Sequence, residues 1–515
     1  MGGFLIVQNV EGQDARGASL FQIGVKNYTL LKEVKPVGTH QVGTTRVAKF
    51  GRIAARTDDI AKDPRTESWL VSMGTWLYPC SAGTDRSQYL LNEFLKKRER
   101  VIEDLDGFFV IAFYEGRQKE LVVVTDRIGS CHAYLCFQKG LVLLSSSSML
   151  LASLTRSDLD MKSCYEFLNT GTIFEDRTLY RGIQKLEPAM VYRFKTGHLQ
   201  AQRQYWSLGS LPIGSLAGEK TVDLLSEALI QTAYEVQAIS THPLCDLTGG
   251  YDSRSILAVQ LATGAKFSTV VNGSVNHPDV IAANRIGKVL GLDHYHNLKP
   301  KNWPAIFFTQ AKEAHRVTDG EYDILEYAST YTNHQAFTKD KGFDLSLNGS
   351  GGEVARGYWW ELLFPYTGWS RRISFRKLAE RRYGVSTADP SVFSPEMSFD
   401  LVDHFTAILE HENRGLRHLP NTAQMDNSYL RLRMQRWQGR IASSTNQIWP
   451  CLSIFLCRQP LEVSLCVVPS LRRHSLLTRK VLEKLNPHLA SLPLENGCPA
   501  LPMRWSNLHR FYPFL

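Results

Sequence analysis

The segment Leu247-Thr248-Gly249-Gly250-Tyr251-Asp252-Ser253-Arg254 has the residue types of a phosphate site. Adjacent glycines let main-chain amides approach an anion, and a helix start adds partial positive charge. The hydroxyls of Thr248 and Ser253 can donate to phosphate oxygens. Asp252 suits a divalent cation rather than phosphate, and its plainer role is to cap the helix. Further along, Asn348-Gly349-Ser350-Gly351-Gly352-Glu353 again joins glycines to an acid, with Gly357-Tyr358 behind it. Glu353 is either a second acid beside the cation or a helix cap. Arg254, directly after the first loop, either pairs with a carboxylate or phosphate or lies in solvent on the helix face.

These loops need a scaffold that presents them together. Residues 1–205 read as β-rich, because apolar runs such as FFVIAFY, ELVVVT and LVLLSSS alternate with turn signals at short spacing. Residues 205–220 are rich in Gly, Ser and Pro without periodicity, which places a boundary there. From 218 onward the period changes. Val222, Leu225, Leu229, Ala233 and Val236 form a helical stripe before the short strand PLCDL. Helices and strands then alternate to FDLSLN, as crossover units on a parallel sheet require, so both glycine loops follow predicted strands. The tail from about 365 reads as mostly helical and Arg-rich, covering one end of the sheet.

Composition limits the function classes. The 515 residues are 43% hydrophobic, 10% aromatic and 21% charged, which is ordinary for packed domains. Lys plus Arg (59) exceed Asp plus Glu (50) by 9, a mild excess that suits small polyanions and does not by itself argue for nucleic acid. No apolar run reaches the ~18 residues of a membrane span, and no basic stretch precedes the short apolar one near the start. The expectation is a soluble, unprocessed, cytoplasmic chain. Nine scattered cysteines with no CxxC pair speak for reduced thiols rather than disulfides or zinc. His404, His411 and His418, spaced by seven, fit a wet helix better than a metal face.

Residues 247–253 resemble the SGGxDS signature of PP-loop ATP pyrophosphatases, and their surroundings resemble the synthetase domain of the asparagine synthetase family. Asp279, Ala283, Gly287, Gly291, His294 and His296 follow the family's second strand-helix-strand pattern, and residues 348–358 are similar to its GxGxDE…GGY loop. Residues 105–130 and 177–189 resemble its N-terminal amidotransferase-like domain. The resemblance implies an α+β amidotransferase-like β-sandwich over 1–205 and an α/β PP-loop domain with a helical C-terminal part over 218–515. It implies that ATP and Mg²⁺ are used to activate a carboxylate as an acyl-adenylate, releasing pyrophosphate, before an amine attacks. Leu247, Thr248, Gly249, Gly250, Asp252, Ser253, Asn348, Gly349, Gly351 and Gly352 would then hold the nucleotide. Asp252 and Glu353 would face Mg²⁺, and Asp252, Glu353, Ser350 and Arg254 would form the catalytic set. The partners are a small-molecule or peptide carboxylate and an amine, and a homodimer stays open.

The departures matter as much. Glutamine-dependent relatives start MCG, where the cysteine thiolate hydrolyses glutamine. Here the register is Met1-Gly2-Gly3-Phe4, and glycine has no nucleophile. The family's glutamine-binding loop is lost as well, with Ser72-Met73-Gly74-Thr75-Trp76 near its expected place. Ser350 stands where asparagine synthetases place Glu, β-lactam synthetases Tyr and lasso-peptide cyclases His, and a serine hydroxyl is a poor base. Glu321, Asp323 and Glu326 are the candidate bases. Leu494, Glu495 and Asn496 stand near the family's late lysine, for which Arg472, Arg473, Arg479 and Lys480 are substitutes. The leading expectation is an AMP-forming amide ligase without its own glutaminase. The alternatives are asparagine synthetase proper, a PP-loop enzyme acting on tRNA through the arginines between 414 and 440, and a non-catalytic nucleotide-binding descendant.

Overall fold

The computed structural model describes residues 2–55, 58–80, 84–368, 370–385, 388–394 and 397–512. Met1 lies outside them.

Among the described residues twelve strands precede residue 205: β1 (Phe4–Asn9), β2 (Pro36–Val42), β3 (Thr45–Phe50), β4 (Ala61–Asp63), β5 (Ser68–Leu77), β6 (Asp106–Glu115), β7 (Glu120–Thr125), β8 (Tyr134–Gln138), β9 (Leu141–Ser145), β10 (Gln184–Lys185), β11 (Met190–Lys195) and β12 (His198–Gln204). They form two six-stranded antiparallel sheets, ordered β10-β8-β9-β1-β3-β2 and β12-β11-β7-β6-β5-β4. Side chains alternate faces along a strand, and the central strands of each sheet are buried on both faces. Phe4, Ile6, Val71 and Val110 meet between the sheets. Leu5 and Val7 point outward to Tyr28, Leu150 and Leu151 on the helices Asp14–Lys32 and Ser148–Thr155. Leu70, Phe109, Ile111 and Phe113 point the other way to Leu90, Leu91 and Phe94 of the helix Arg86–Lys97. The result is a helix-sheet-sheet-helix stack, in which each fully buried large side chain contributes roughly 1.5–3 kcal/mol.

Beyond Gly218, whose φ of 73° precedes the helix Glu219–Gln237, the chain changes architecture as its periodicity predicts. Strands β13 (Pro243–Asp246), β14 (Ser268–Asn272), β15 (His294–Asn297), β16 (Leu345–Leu347) and β17 (Cys451–Leu452) form a parallel sheet ordered β15-β14-β13-β16-β17. Helices cover both faces, as parallel sheets require. Val271 packs towards the helices Tyr251–Ala262 and Pro278–Leu290. Val270 packs towards Trp303–Thr318 and Ile324–Lys339.

The helical tail does more than cover the sheet. It contributes β17 and the preceding helix Gly439–Ile448, which joins the two architectures. The Ile53 and Ala54 amides donate to the carbonyls of Gln447 and Ile448, each at 3.0 Å. A two-residue strand is too short for alternation to reveal. All nine cysteines are unpaired. Among the described residues no helix is long and apolar enough to cross a membrane.

Candidate functional site

Strand order reverses between β13 and β16. From β13 the chain adds β14 and β15 on one side, then crosses to β16 and β17 on the other. Loops leaving such neighbours diverge and open a crevice at their carboxyl ends, where α/β sheets bind ligands. The two glycine loops leave these two strands. In the first, the Thr248 amide donates to Ser253 Oγ at 3.0 Å, Thr248 Oγ1 lies 3.0 Å from the same oxygen, and the Gly250 amide donates to Thr248 Oγ1 at 3.3 Å. The hydroxyls of Thr248 and Ser253 therefore brace the turn. The Gly249 amide is committed to Asp279 Oδ1 at 2.8 Å.

The second loop closes over Asp252. A Cβ on Gly352 would lie 2.8 Å from Asp252 Cβ, Cγ and Oδ1, and one on Gly349 would lie 2.9 Å from the Asp252 carbonyl carbon and the Ser253 nitrogen. Only glycine permits that approach. Asn348 Oδ1 accepts from the Ser350 amide at 3.1 Å, Ser453 Oγ donates to the Ser350 carbonyl, and the Gly351 amide donates to Glu353 Oε2 at 3.0 Å. Asp252 accepts two bonds from one guanidinium: Arg356 Nε to Oδ1 at 3.1 Å and Arg356 Nη2 to Oδ2 at 2.8 Å. Burial raises Asp252 to about 6, Arg356 opposes that rise, and Glu353 adds to it. Burial pushes the Tyr429 hydroxyl far up, and its hydrogen-bonded neighbour Glu353 reinforces this.

Asp252 and Glu353 do not fit a magnesium ion. Both oxygens of Asp252 are held by Arg356, and Glu353 holds the Gly351 amide and Tyr429. Among the described residues no group of three or more His, Cys, Asp or Glu could hold a metal. The expectation of Asp252 as a metal ligand is corrected on this geometry.

Arg254 is corrected too. It is fully buried, donating to the Leu492 carbonyl at 2.8 Å and to the Pro493 carbonyl, so it ties the first loop's helix to the chain before Glu495. It neither faces solvent nor reaches the crevice. The Glu495 amide donates to the Gly249 carbonyl at 3.3 Å, so the segment expected near the late lysine is in place without a basic residue. Of the substitutes, Arg472 pairs with Asp426 at 2.7 Å, Arg479 donates to Pro499 and Leu501 carbonyls, and Lys480 pairs with Glu219. Arg473 lines a cavity of about 450 Å³ together with Arg356, Tyr358, Trp360 and His474.

The candidate bases separate. Glu321 is buried, accepting from Tyr134 at 2.8 Å and Ser148 at 2.7 Å. Asp323 caps the helix Ile324–Lys339. Glu326 accepts from Tyr322 at 2.9 Å and lines a cavity of about 270 Å³ with Asp246, Asn272 and His334. Of the basic stretch, Arg436 and Arg440 are buried and Arg431 pairs with Glu187 and Glu412, so these arginines build the interior. His404 pairs with Glu166, while His411 and His418 are exposed.

In the antiparallel region Gly2 is buried, and a Cβ there would lie 2.2 Å from the carbonyl oxygens of Phe50 and Gly51. Ser72–Trp76 lie within β5, not in a loop. Sequence reasoning missed Arg356. Its signal was an arginine three residues after Glu353, close behind the second loop.

Residues 80–206 match a glutamine amidotransferase domain family. Asparagine synthetase [glutamine-hydrolyzing] 3 of Bacillus subtilis (strain 168) is 26% identical over 188 residues, 34% of this chain and 29% of that protein. The match thus spans under a third of that relative's length. Two solved structures align over 52% of this chain at 9% identity. The allosteric regulatory enzyme of purine biosynthesis has a TM-score of 0.27 over 64% of its chain. Glutamine phosphoribosylpyrophosphate amidotransferase from B. subtilis complexed with ADP and GMP has 0.28 over 65%. The two sequence matches thus make part of the chain similar to a glutamine amidotransferase domain and to an asparagine synthetase.

Proposed function

We propose, on the premise of an asparagine synthetase-like family, that this chain is an ATP-using ligase. It activates a carboxylate as an acyl-adenylate, releases pyrophosphate and passes the acyl group to an amine, without hydrolysing glutamine itself. Residues 1–205 would be an amidotransferase-like unit without its nucleophile, and 218–515 the PP-loop synthetase unit. The observation that carries this reading is the meeting of two glycine loops, with Arg356 between them, at the reversal of strand order.

In this reading Thr248 and Ser253 keep the first turn in shape, the glycines let the two loops close on each other, and Arg356 offers fixed positive charge where negative charge develops on the departing group. Gly2 leaves no thiolate to generate ammonia. Ser350 supplies no base, so free ammonium would arrive protonated and stay so. An organic amine held beside the activated carboxylate needs less help, since positioning alone is worth on the order of 7 kcal/mol in well-oriented cases.

The test is ATP–pyrophosphate exchange by the purified chain with a panel of carboxylic acids, run beside a mixture of aspartate, ammonium chloride and ATP. Exchange with one acid and amide formation only with an organic amine is the expected result. Efficient asparagine formation would return the protein to ordinary synthetases. A second reading, a nucleotide-binding descendant without catalysis, is favoured by Arg356 holding both oxygens of Asp252. It predicts ATP binding with no exchange for any acid.

A further inference from the structure

We infer that Arg356 is the resident cation of this crevice, so that the two glycine loops take a phosphate or pyrophosphate group without a divalent metal ion. The inference rests on the ligase reading for the phosphorylated nature of the ligand and goes beyond it in what neutralises the charge.

A hard divalent cation needs several oxygen ligands. Arg356 Nε and Nη2 lie 3.1 and 2.8 Å from the two oxygens of Asp252, in the side-on geometry of a paired carboxylate. Gly352 roofs the same carboxylate so closely that even a methyl group would collide with it, which leaves no room for an ion and its waters on that side. Glu353 is turned to the Gly351 amide. The residues that would hold a metal therefore hold a guanidinium instead.

That guanidinium is not used up. Of its five N–H groups, Asp252 takes one from Nε and one from Nη2, and among the described residues no acceptor faces Nη1. Its side chain keeps 22% exposure. It also lines the cavity of about 450 Å³ where Arg473 and His474 add basic groups, Glu361 is the one acid, and Tyr358 and Trp360 supply flat apolar wall. Arg356 is thus part of a basic cavity wall, and an arginine can share its two edges between a carboxylate and a phosphate.

The test is isothermal titration of the full chain with inorganic pyrophosphate and, separately, with ATP, each in excess EDTA and in excess Mg²⁺. Binding should persist in EDTA within about threefold of its value with Mg²⁺, and Arg356→Ala should weaken it about tenfold or more, as loss of a charge-assisted pair does. Arg356→Lys, which keeps the charge but not the fork, should fall between, and a circular dichroism melt reports whether each variant is folded. ATP binding far more tightly than pyrophosphate identifies a nucleotide as the ligand, and equal affinity identifies the phosphates alone. Binding that needs Mg²⁺ overturns the resident cation and leaves the ligase reading standing. Binding indifferent to both Arg356 variants overturns it as well. No binding under either condition overturns both. Titration with Mn²⁺ followed by electron paramagnetic resonance gives a check that needs no variant: the wild-type chain should show no stoichiometric site, and finding one with ligands in these loops overturns the inference.

Discussion

The antiparallel stack and the parallel sheet treat their reactive positions in opposite ways. In the stack, Gly2 is wedged between the carbonyl oxygens of Phe50 and Gly51, which leaves no space for a side chain. In the sheet, the glycine loops also pack tightly, yet Arg356 beside them lines a cavity. Charged groups follow the same division. Where the two architectures meet, Lys32 pairs with Asp319 at 2.6 Å, Arg440 donates to Tyr134 at 2.6 Å, and Tyr134 donates to Glu321 at 2.8 Å, all buried. The residue types of a catalytic site are thus present in both places, but only one set can be reached by a ligand. Access, rather than the presence of acids and bases, separates the two sets of charge in this chain.

The largest expected effect breaks the buried side of that comparison. Arg440→Met removes the cation facing Asp319 and Glu321, at 3.9 and 3.7 Å, and should cost about 3–5 kcal/mol in urea unfolding because buried acids lose a partner. A loss under about 1 kcal/mol would show that the seam does not depend on its ion pairs. Next comes Gly2→Cys, which puts the missing thiol back. It should release no glutamate from glutamine and should destabilise the chain by about 1–3 kcal/mol, the usual range for overpacking. Recovered glutaminase activity would mean that the stack is open after all. Smaller again is Gly349→Ala, whose Cβ meets the backbone of Asp252 and Ser253. It should weaken ATP binding about tenfold, or ~1.4 kcal/mol, and lower the thermal midpoint as overpacking against backbone does. Unchanged affinity would detach the loop from the ligand.

The sequence made the scaffold readable because long elements carry period. The stripe from Val222 to Val236 is the buried face of Glu219–Gln237, and the alternation from PLCDL to FDLSLN is the order β13 to β16. The loops were readable as turns because adjacent glycines after a strand break its period. What stayed hidden depends on pairs distant in sequence. Arg254 looked like a ligand residue because nothing local shows that Leu492 and Pro493 bring their carbonyls to it. Asp252 looked like a metal ligand because Arg356 lies 104 residues away. β17 is two residues long, below the reach of any pattern.

The smallest prediction sharpens the comparison from the accessible side. Asp246, the last residue of β13, lines the cavity of about 270 Å³ with Asn272, Glu326 and His334, and burial raises it from 3.8 to about 7. A carboxyl with a raised pKa binds a proton in the folded chain that the unfolded chain has already released. Folding stability therefore falls as pH rises through the window from about 4 to 7, and below that window both states are protonated and the penalty vanishes. A shift of this size would amount to roughly 4 kcal/mol at full burial, but the carboxyl opens on a cavity, and water or a ligand there offsets most of it, leaving about 1 kcal/mol. Asp246→Asn keeps the shape and removes the charge. The variant should be more stable than the wild type by about that amount at pH 8, with the gap closing towards zero as pH falls to about 4 in matched urea titrations. A gap that stays constant with pH would mean that Asp246 is solvated like an ordinary surface acid, and that this cavity, unlike the one beside Arg356, places no electrostatic demand on what enters it.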